Sequence, residues 1–378
     1  MNAVDVVVVG AGVTGLSVAL HLAEAGARPV VVERRGVGAG ESGVQPGGVR
    51  QQWSTRLTCE LAREGVAFYR DLPSRLAMSV PVRFDACGYL FVAHTPERLD
   101  ELTAAVALQN GLGIPSRIVA ADEAAELVPG LDATTLSGAS WNAEDGYVDR
   151  PQAAVEAFAA AAEARGARIR IAEVASLSPS GAGWNLTLHD GSRIAAAQVV
   201  VAAGVDTPSL LHPLGIDLPI VPTERHLFYS EPVAERVLEP LVVSSERHVA
   251  AKQLANGRIL ASDLSASGTV DEGRRAWLAH IRVVTGELLP RLSFASFSQL
   301  VSGRYDSTPD NHPILGPVEG LPGLYLAAGF SGHGFMLAPA VGRRLAAAVL
   351  GGARDEALDQ LAHTRFAGGA LHRELATV

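Results

Sequence analysis

Lysine is almost absent from this chain: of its 31 basic residues only Lys252 is a lysine, and the rest are arginines. The protein therefore has one side-chain primary amine available for chemistry. Cysteine is nearly as scarce. Cys59 and Cys87 are far apart and not in a metal-ligand spacing, so free thiols in a reducing compartment are expected. No His/Cys or His/Glu cluster has ligand spacing either, and no metal is expected. Positive charge is in deficit: the net charge of −9 argues against nucleic acid or an anionic membrane surface as partner. No apolar run approaches the about 18–20 residues that span a bilayer. The chain enters a strand almost at once ("VDVVVVGAG"), which leaves no room for a signal peptide, and a cytoplasmic location is expected.

What is present is 378 residues, 48% apolar, enough for two or three domains at ~100–200 residues each. Residues 5–35 read as a βαβ unit. "DVVVV" is a continuous apolar run, the pattern of a strand buried on both faces. "GAGVTG" is a turn, apolar residues at helical spacing follow to Gly26, and "RPVVVE" is the next strand. A glycine-rich loop spans 36–48 and a helix is expected over 54–72. Residues 82–145 read as irregular and β-rich, with one short helix at "DEAAELVP". Pro151 and Gly166 bracket a strong helix leading into a strand. Asp190-Gly191 and Asn256-Gly257 read as two-residue hairpin turns. "DEGRRAWLAHIRVVTGELLPRL" is an amphipathic helix, and a last helix is expected to begin near Pro339. Segments of α/β pattern alternate with antiparallel-looking ones, without linker or repeat. Two domains joined by several chain crossings fit this order.

The first chemical motif is Gly10-Ala11-Gly12-Val13-Thr14-Gly15, a G-x-G-x-x-G between a strand and a helix. Gly10 permits the tight turn, Gly12 lets backbone amides approach a pyrophosphate, and Gly15 lets helix and strand pack closely. The helix N-terminus adds partial positive charge. Glu33 ends the next strand and can accept from both ribose hydroxyls of an adenosine, while its charge repels a 2′-phosphate. Dinucleotide binding follows, but the motif alone does not separate NAD from FAD. The long insertion after the second strand favours FAD, which lies extended and reaches distant chain segments. A second glycine turn, Gly329, Gly332 and Gly334, precedes the final helix.

Four stretches together resemble the D-amino-acid oxidase superfamily, in its glycine oxidase, sarcosine oxidase and dimethylglycine dehydrogenase branch. They are "VVVVGAGVTGLSVALHLAEAGARPVVVER", "GAGESGVQPGGVRQQW", "AAQVVVAAGVDTPSL" and "GRYDSTPDNHPILGPVEGLPGLYLAAGFSGHGFMLAPAVG". The resemblance implies a Rossmann-like FAD-binding domain (1–80, 146–212 and 301–378) interleaved with a mainly antiparallel β substrate-binding domain (81–145 and 213–300). It implies an amine or amino-acid substrate, losing hydride from the carbon beside nitrogen to flavin N5 and leaving an imine. Oxygen or another acceptor would take the electrons.

The same resemblance distributes the cofactor over the chain. Gly10, Gly12, Val13, Thr14, Gly15, Glu33 and Arg34 would hold its adenine end and pyrophosphate. Ser42, Gly43, Gly47, Gly48 and Val49 would run beside the flavin. Val174, Ala203 and Gly204 would be further contacts, with a side chain at Gly204 clashing with the cofactor. Gly329, Gly332, His333, Gly334, Phe335 and Met336 would point a helix N-terminus at the charge that builds on the reduced ring, worth ~0.3–2 kcal/mol. Arg50 is expected near the flavin, and Arg304 could grip a substrate carboxylate through two parallel hydrogen bonds. Arg304's alternative is structural pairing with Asp306 or Asp310. No strong general base is required, because a neutral amine can give up hydride directly once oriented.

Three departures from the family matter. Gly303 stands where sarcosine oxidase attaches its flavin through cysteine, so FAD is expected to be non-covalent. Trp53 and Met336 match that enzyme's carboxylate-binding arginine and lysine, which points to a larger or more apolar substrate pocket. Ile259 matches its oxygen-assisting lysine, which favours a dehydrogenase unless Lys252 compensates. With the hairpin turning at Asn256-Gly257, Lys252 is expected opposite Ala261, on the face of Ile259. Two alternatives stay open: a flavin subunit of a heteromeric amine dehydrogenase, and an NAD-linked dehydrogenase.

Overall fold

In the strand Val4–Val9 the unbroken valines at 6–9 are buried on both faces: Val6 and Val8 belong to one apolar cluster, Val7 and Val9 to another. The computed structural model describes residues 4–76, 82–181, 183–368 and 371–376, and the expected domain boundary near residue 80 falls outside them. Val4–Val9 is the middle of a parallel set ordered Leu324–Ala328, Arg193–Val201, Val4–Val9, Val30–Glu33, Arg168–Ile171. Parallel neighbours need crossovers, and helices supply them. The helices of twelve or more described residues are α1 (Val13–Glu24), α2 (Arg56–Arg70), α3 (Pro96–Gly111), α4 (Pro151–Ala164), α5 (Val270–Leu288) and α6 (Gly334–Val349). α1 packs between α4 and α6, and α2 packs on α6. A Cβ on Gly342 would overlap Ser17, so glycine there sets the α1–α6 separation.

A second sheet, mainly antiparallel, runs Phe297–Ser307, Val221–Ser230, Ile259–Asp263, Val249–Gln253, Leu241–Ser244, Tyr89–Ala93, Gly138–Asn142, Arg117–Val119. α5 covers one face through Trp277, Ile281, Val284 and Leu288, against Phe228, Val242, Ala251, Ile259 and Ala261. A small sheet of Gly48–Val49, Gly146–Val148 and Phe84–Asp85 joins the 36–48 loop to this region. The mixed α/β and antiparallel architecture is the one expected.

Four local expectations need correction. Residues 96–111 are helical, not β-rich: Thr95 accepts from the Arg98 amide and Pro96 opens the first turn, an N-cap signal that the surrounding strands masked. Both hairpin turns have three residues. Leu188 pairs with Ser192 around His189–Gly191, and Leu254 with Arg258 around Ala255–Gly257, with Gly191 and Gly257 at φ +80 and +83. That is the turn-plus-left-handed-glycine geometry, and it shifts register by one. Lys252 therefore pairs with Leu260, not Ala261, and lies on the sheet face opposite Ile259.

Finally, α6 begins at Gly334, five residues before Pro339, which is inside the helix. Proline cannot donate to the carbonyl four residues earlier. That carbonyl, on Phe335, instead accepts from the Tyr69 hydroxyl at 2.7 Å. Gly65, on the same helix as Tyr69, lets α2 approach so closely that a Cβ would overlap the Met336 carbonyl oxygen.

Candidate active site

The parallel strands end at one place, and a cavity of about 410 Å³ opens there. Its wall takes Gly10, Gly12, Val13 and Thr14 after the first strand, Glu33 and Arg34 after the second, and Ala203 and Gly204 after Arg193–Val201. Ligands bind outside the carboxyl ends of such strands. Ser42, Val174, Arg304, Gly332, Gly334 and Phe335 are also on the wall. Both glycine turns thus face one space.

The glycines there are fixed by contact. Gly10 has φ +106, and a Cβ on it would overlap the Ala202 carbonyl; one on Gly15 would overlap Gly10 itself. Gly12 sits 3.1 Å (as Cβ) from Ser42 Oγ, which accepts the Val13 amide at 3.0 Å. A hydroxyl oxygen thus occupies the helix N-terminus at which a phosphate oxygen would be received. A Cβ on Gly204, at φ +54, would meet no protein atom within 4 Å. The expected adenosine partner Glu33 accepts from the Ala11 and Arg35 amides, both at 2.9 Å. Arg34 pairs with Asp206 at 2.6 Å. The Glu33 carboxylate, the glycine cradle and the open space beside Gly204 fit an extended dinucleotide.

Gly15, Gly43, Gly47, Gly48, Val49, Gly329, His333, Met336, Arg50, Trp53 and Lys252 are not on the cavity wall. Several of these glycines answer to protein atoms: a Cβ on Gly43, Gly47 or Gly48 would overlap Gly38, Val148 or the Tyr89 hydroxyl. Arg50, Trp53 and His333 form one buried group. The Arg50 guanidinium lies 3.5 Å from the Trp53 ring centroid and donates to the Gln52 and Ala376 carbonyls. The Trp53 and His333 rings meet edge-on at 4.4 Å. Arg50 Nε and His333 Nε2 are buried without a partner among the described residues. Burial, then the nearby Arg50 charge, holds His333 well below its ordinary pKa, so it is neutral.

Arg304 behaves differently from expectation. Its structural partner is neither Asp306 nor Asp310 but Glu41, which accepts from its amide at 2.6 Å and its Nε at 3.4 Å. Asp310 is engaged by Arg365 at 2.8 Å. Asp306 instead accepts from the Gly329 amide at 2.7 Å, bracing the second glycine turn. Burial pushes its carboxyl up to about 6, against hydrogen bonds from Phe330 and Gly329. The sequence carried no signal for Glu41, and it offered Asp306 to Arg304 rather than to the Gly329 amide, since each matters only through a contact made across the fold.

Lys252 is buried. Its Nζ donates to the Pro46 carbonyl and lies 4.2 Å from the Tyr147 ring centroid. Burial pushes the ammonium down to about 7, with Cys87 and Asp85 opposing. Both thiols are free, and burial raises Cys59 to about 12 and Cys87 to about 11. Among the described residues no group of three metal-ligating side chains gathers, and no helix is long and apolar enough to cross a membrane.

A cavity at strand ends, faced by two glycine turns, suits a dinucleotide cofactor. Residues 5–348 match the FAD dependent oxidoreductase family, and the chain belongs to it. Its cofactor is FAD, which sets aside the NAD alternative. The chain is 28% identical to the formaldehyde-forming 4-methylaminobutanoate oxidase of Paenarthrobacter nicotinovorans, over 92% of this chain but 44% of that protein. It is 31% identical to glycine oxidase of Pseudomonas aeruginosa, over 90% of this chain and 93% of the other. Among solved structures, L-proline dehydrogenase from P. horikoshii superposes with a TM-score of 0.89 at 27% identity, covering 98% and 99% of the two chains. The chain thus spans about half the length of some curated relatives and nearly all of others.

Proposed function

We propose that the protein oxidises the C–N bond of an amine or amino acid to an imine. One observation carries the reading: a single cavity joins Glu33 and Val174 to Gly332 and Phe335, so both glycine turns serve one extended cofactor. Bound FAD supplies the two-electron acceptor. The chain's part is to hold the dinucleotide at Gly10–Thr14 and Ser42, to place the α6 N-terminus where negative charge accumulates, and to orient the substrate. In this reading the parallel sheet is the FAD domain and the antiparallel sheet the substrate domain, within the boundaries given above. Of the two candidate arginines, Arg304 has its side chain 43% exposed on the cavity wall, whereas Arg50 is fully buried. Arg304 is therefore the better partner for a substrate carboxylate, with Glu41 displaced as it binds. Gly303 stands where sarcosine oxidase has its flavin-linking cysteine, which favours non-covalent FAD.

The deciding experiment is anaerobic mixing with secondary amines, glycine derivatives, L-proline and other D- and L-amino acids. Bleaching of the flavin band by one class is expected, and acid should release the flavin from the protein. A yellow protein bleached by none of them would end this reading. Peroxide formed on readmitting air separates an oxidase from a dehydrogenase or a subunit that passes electrons to a partner.

Lys252 is the candidate cation for oxygen. It lies on the sheet face turned to the 46–48 loop, and a cation near a flavin favours electron transfer to oxygen by stabilising superoxide. Because the protonated form is the useful one, reoxidation by oxygen should quicken as pH falls through about 7. In Lys252→Met it should be slower by about tenfold or more and flat with pH, while reduction by substrate is little changed. Stopped-flow reoxidation traces check this, and equal wild-type and variant rates reject it.

A further inference from the structure

We propose that Glu374, near the C-terminus, is a positioning residue for Arg50, fixing that guanidinium where its charge bears on the flavin side of the site. The proposal rests on the family-based reading of residues 40–50 as flavin-facing.

Glu374 is fully buried, and its carboxylate gathers five donors. The Ser54 amide reaches it at 2.9 Å, the Thr55 amide at 3.1 Å, the Thr55 hydroxyl at 2.8 Å and the Ala376 amide at 3.0 Å, together with the Ser54 hydroxyl. Burial alone would raise its pKa, but these hydrogen bonds outweigh burial and hold it below the ordinary value. Thr55 is the N-cap of α2, so the carboxylate also meets the positive end of that helix. The segment carrying Glu374 is itself held in place. Its amide donates to the Asp310 carbonyl at 2.9 Å, Asn311 donates to its carbonyl at 2.9 Å, and Arg373 donates to the Pro309 carbonyl at 2.9 Å.

Two residues further on, the Ala376 carbonyl accepts from Arg50, and the Leu375 amide donates to Ser54 Oγ at 2.9 Å. The strap therefore grips both ends of the 50–55 turn. Within that turn Trp53 Nε1 donates to the Arg50 carbonyl at 3.2 Å, and the guanidinium lies on the Trp53 face. A buried guanidinium with two carbonyl acceptors and two rings, Trp53 and, at 5.1 Å, Phe91, has few other places to rest, so relaxing the turn relocates its charge.

The sign of one measurement separates positioning from plain electrostatics. Removing a carboxylate near a flavin, with nothing else moved, makes the flavin easier to reduce. Letting the Arg50 charge drift away makes it harder. In Glu374→Gln, whose amide nitrogen cannot accept from the Thr55 donors, the two-electron midpoint potential should become more negative. A tenfold change in the reduction equilibrium is expected, about 30 mV. The measurement is dye-calibrated reduction of the purified holoprotein, so it needs no known substrate; a failure of the amine panel would leave it readable. Arg50→Gln should lower the potential too, and Arg50→Gln/Glu374→Gln no further than Arg50→Gln alone. Ser54→Ala keeps the carboxylate and removes one donor and one acceptor; it should shift the potential the same way by less, and it decides the matter if Glu374→Gln does not fold. A potential that rises or stays unchanged in these variants, even with a lower melting temperature, overturns the proposal.

Discussion

Gly65→Ala should destabilise the protein by about 3 kcal/mol or more, although alanine is the better helix former. Gly65 is inside α2, where glycine-to-alanine ordinarily stabilises by about 1 kcal/mol. Here the added Cβ would overlap the Met336 carbonyl oxygen, and that oxygen cannot retreat. It belongs to the first turn of α6, held by the Tyr69 bond to Phe335 and shaped by Pro339. Overpacking against backbone costs roughly 1–3 kcal/mol even where neighbours can shift, and it outweighs propensity here. Tyr69→Phe, which strands the Phe335 carbonyl, should cost about 1–3 kcal/mol. Urea unfolding of both holoproteins checks this, and a Gly65→Ala variant more stable than wild type would show that propensity wins. Because α6 carries Gly334 and Phe335 on the cavity wall, Gly65→Ala should also retain less FAD.

Gly204→Asn should lose FAD while keeping the fold. Residue 204 is in the left-handed region, at φ +54, which asparagine tolerates better than other non-glycine residues. Its new Cβ would touch no protein atom, so the fold should lose only about 1 kcal/mol. The side chain must, however, enter the cavity. A loss of at least about 100-fold in FAD affinity, about 2.8 kcal/mol, is expected. Titrating apoprotein with FAD by fluorescence quenching measures it, with far-UV circular dichroism as the fold control. Wild-type affinity would show that the cofactor does not pass residue 204.

The sequence made legible what is local and periodic. The first strand, Gly10–Gly15 and Glu33 are adjacent in sequence and depend on glycine chemistry that no tertiary contact can override. The helices at 151–164 and 270–288 carry clear periodicity and end signals. The hairpins were harder, because Asp190-Gly191 and Asn256-Gly257 suit both a two-residue turn and the end of a three-residue one. Only cross-strand hydrogen bonds choose, and the choice moved Lys252 to the other face. Pro339 misled for a similar reason: proline marks a helix start unless something distant satisfies the carbonyl it abandons, and Tyr69 is 266 residues from Phe335. The pairings Arg304–Glu41 and Glu374–Ser54 span 263 and 320 residues, and no single segment announces either.

The cavity wall is assembled from segments far apart in sequence, from Val9 to Phe335. A ribosome therefore carries synthesis from Val9 to Phe335 before a place for FAD exists. The valine strands and α1 would wait with their ends uncovered, since Leu324–Ala328 and α6 are synthesised long after them. Chains stopped short of residue 335 should be colourless however well their antiparallel sheet folds, and cofactor capture would serve as a check that synthesis had run past that point.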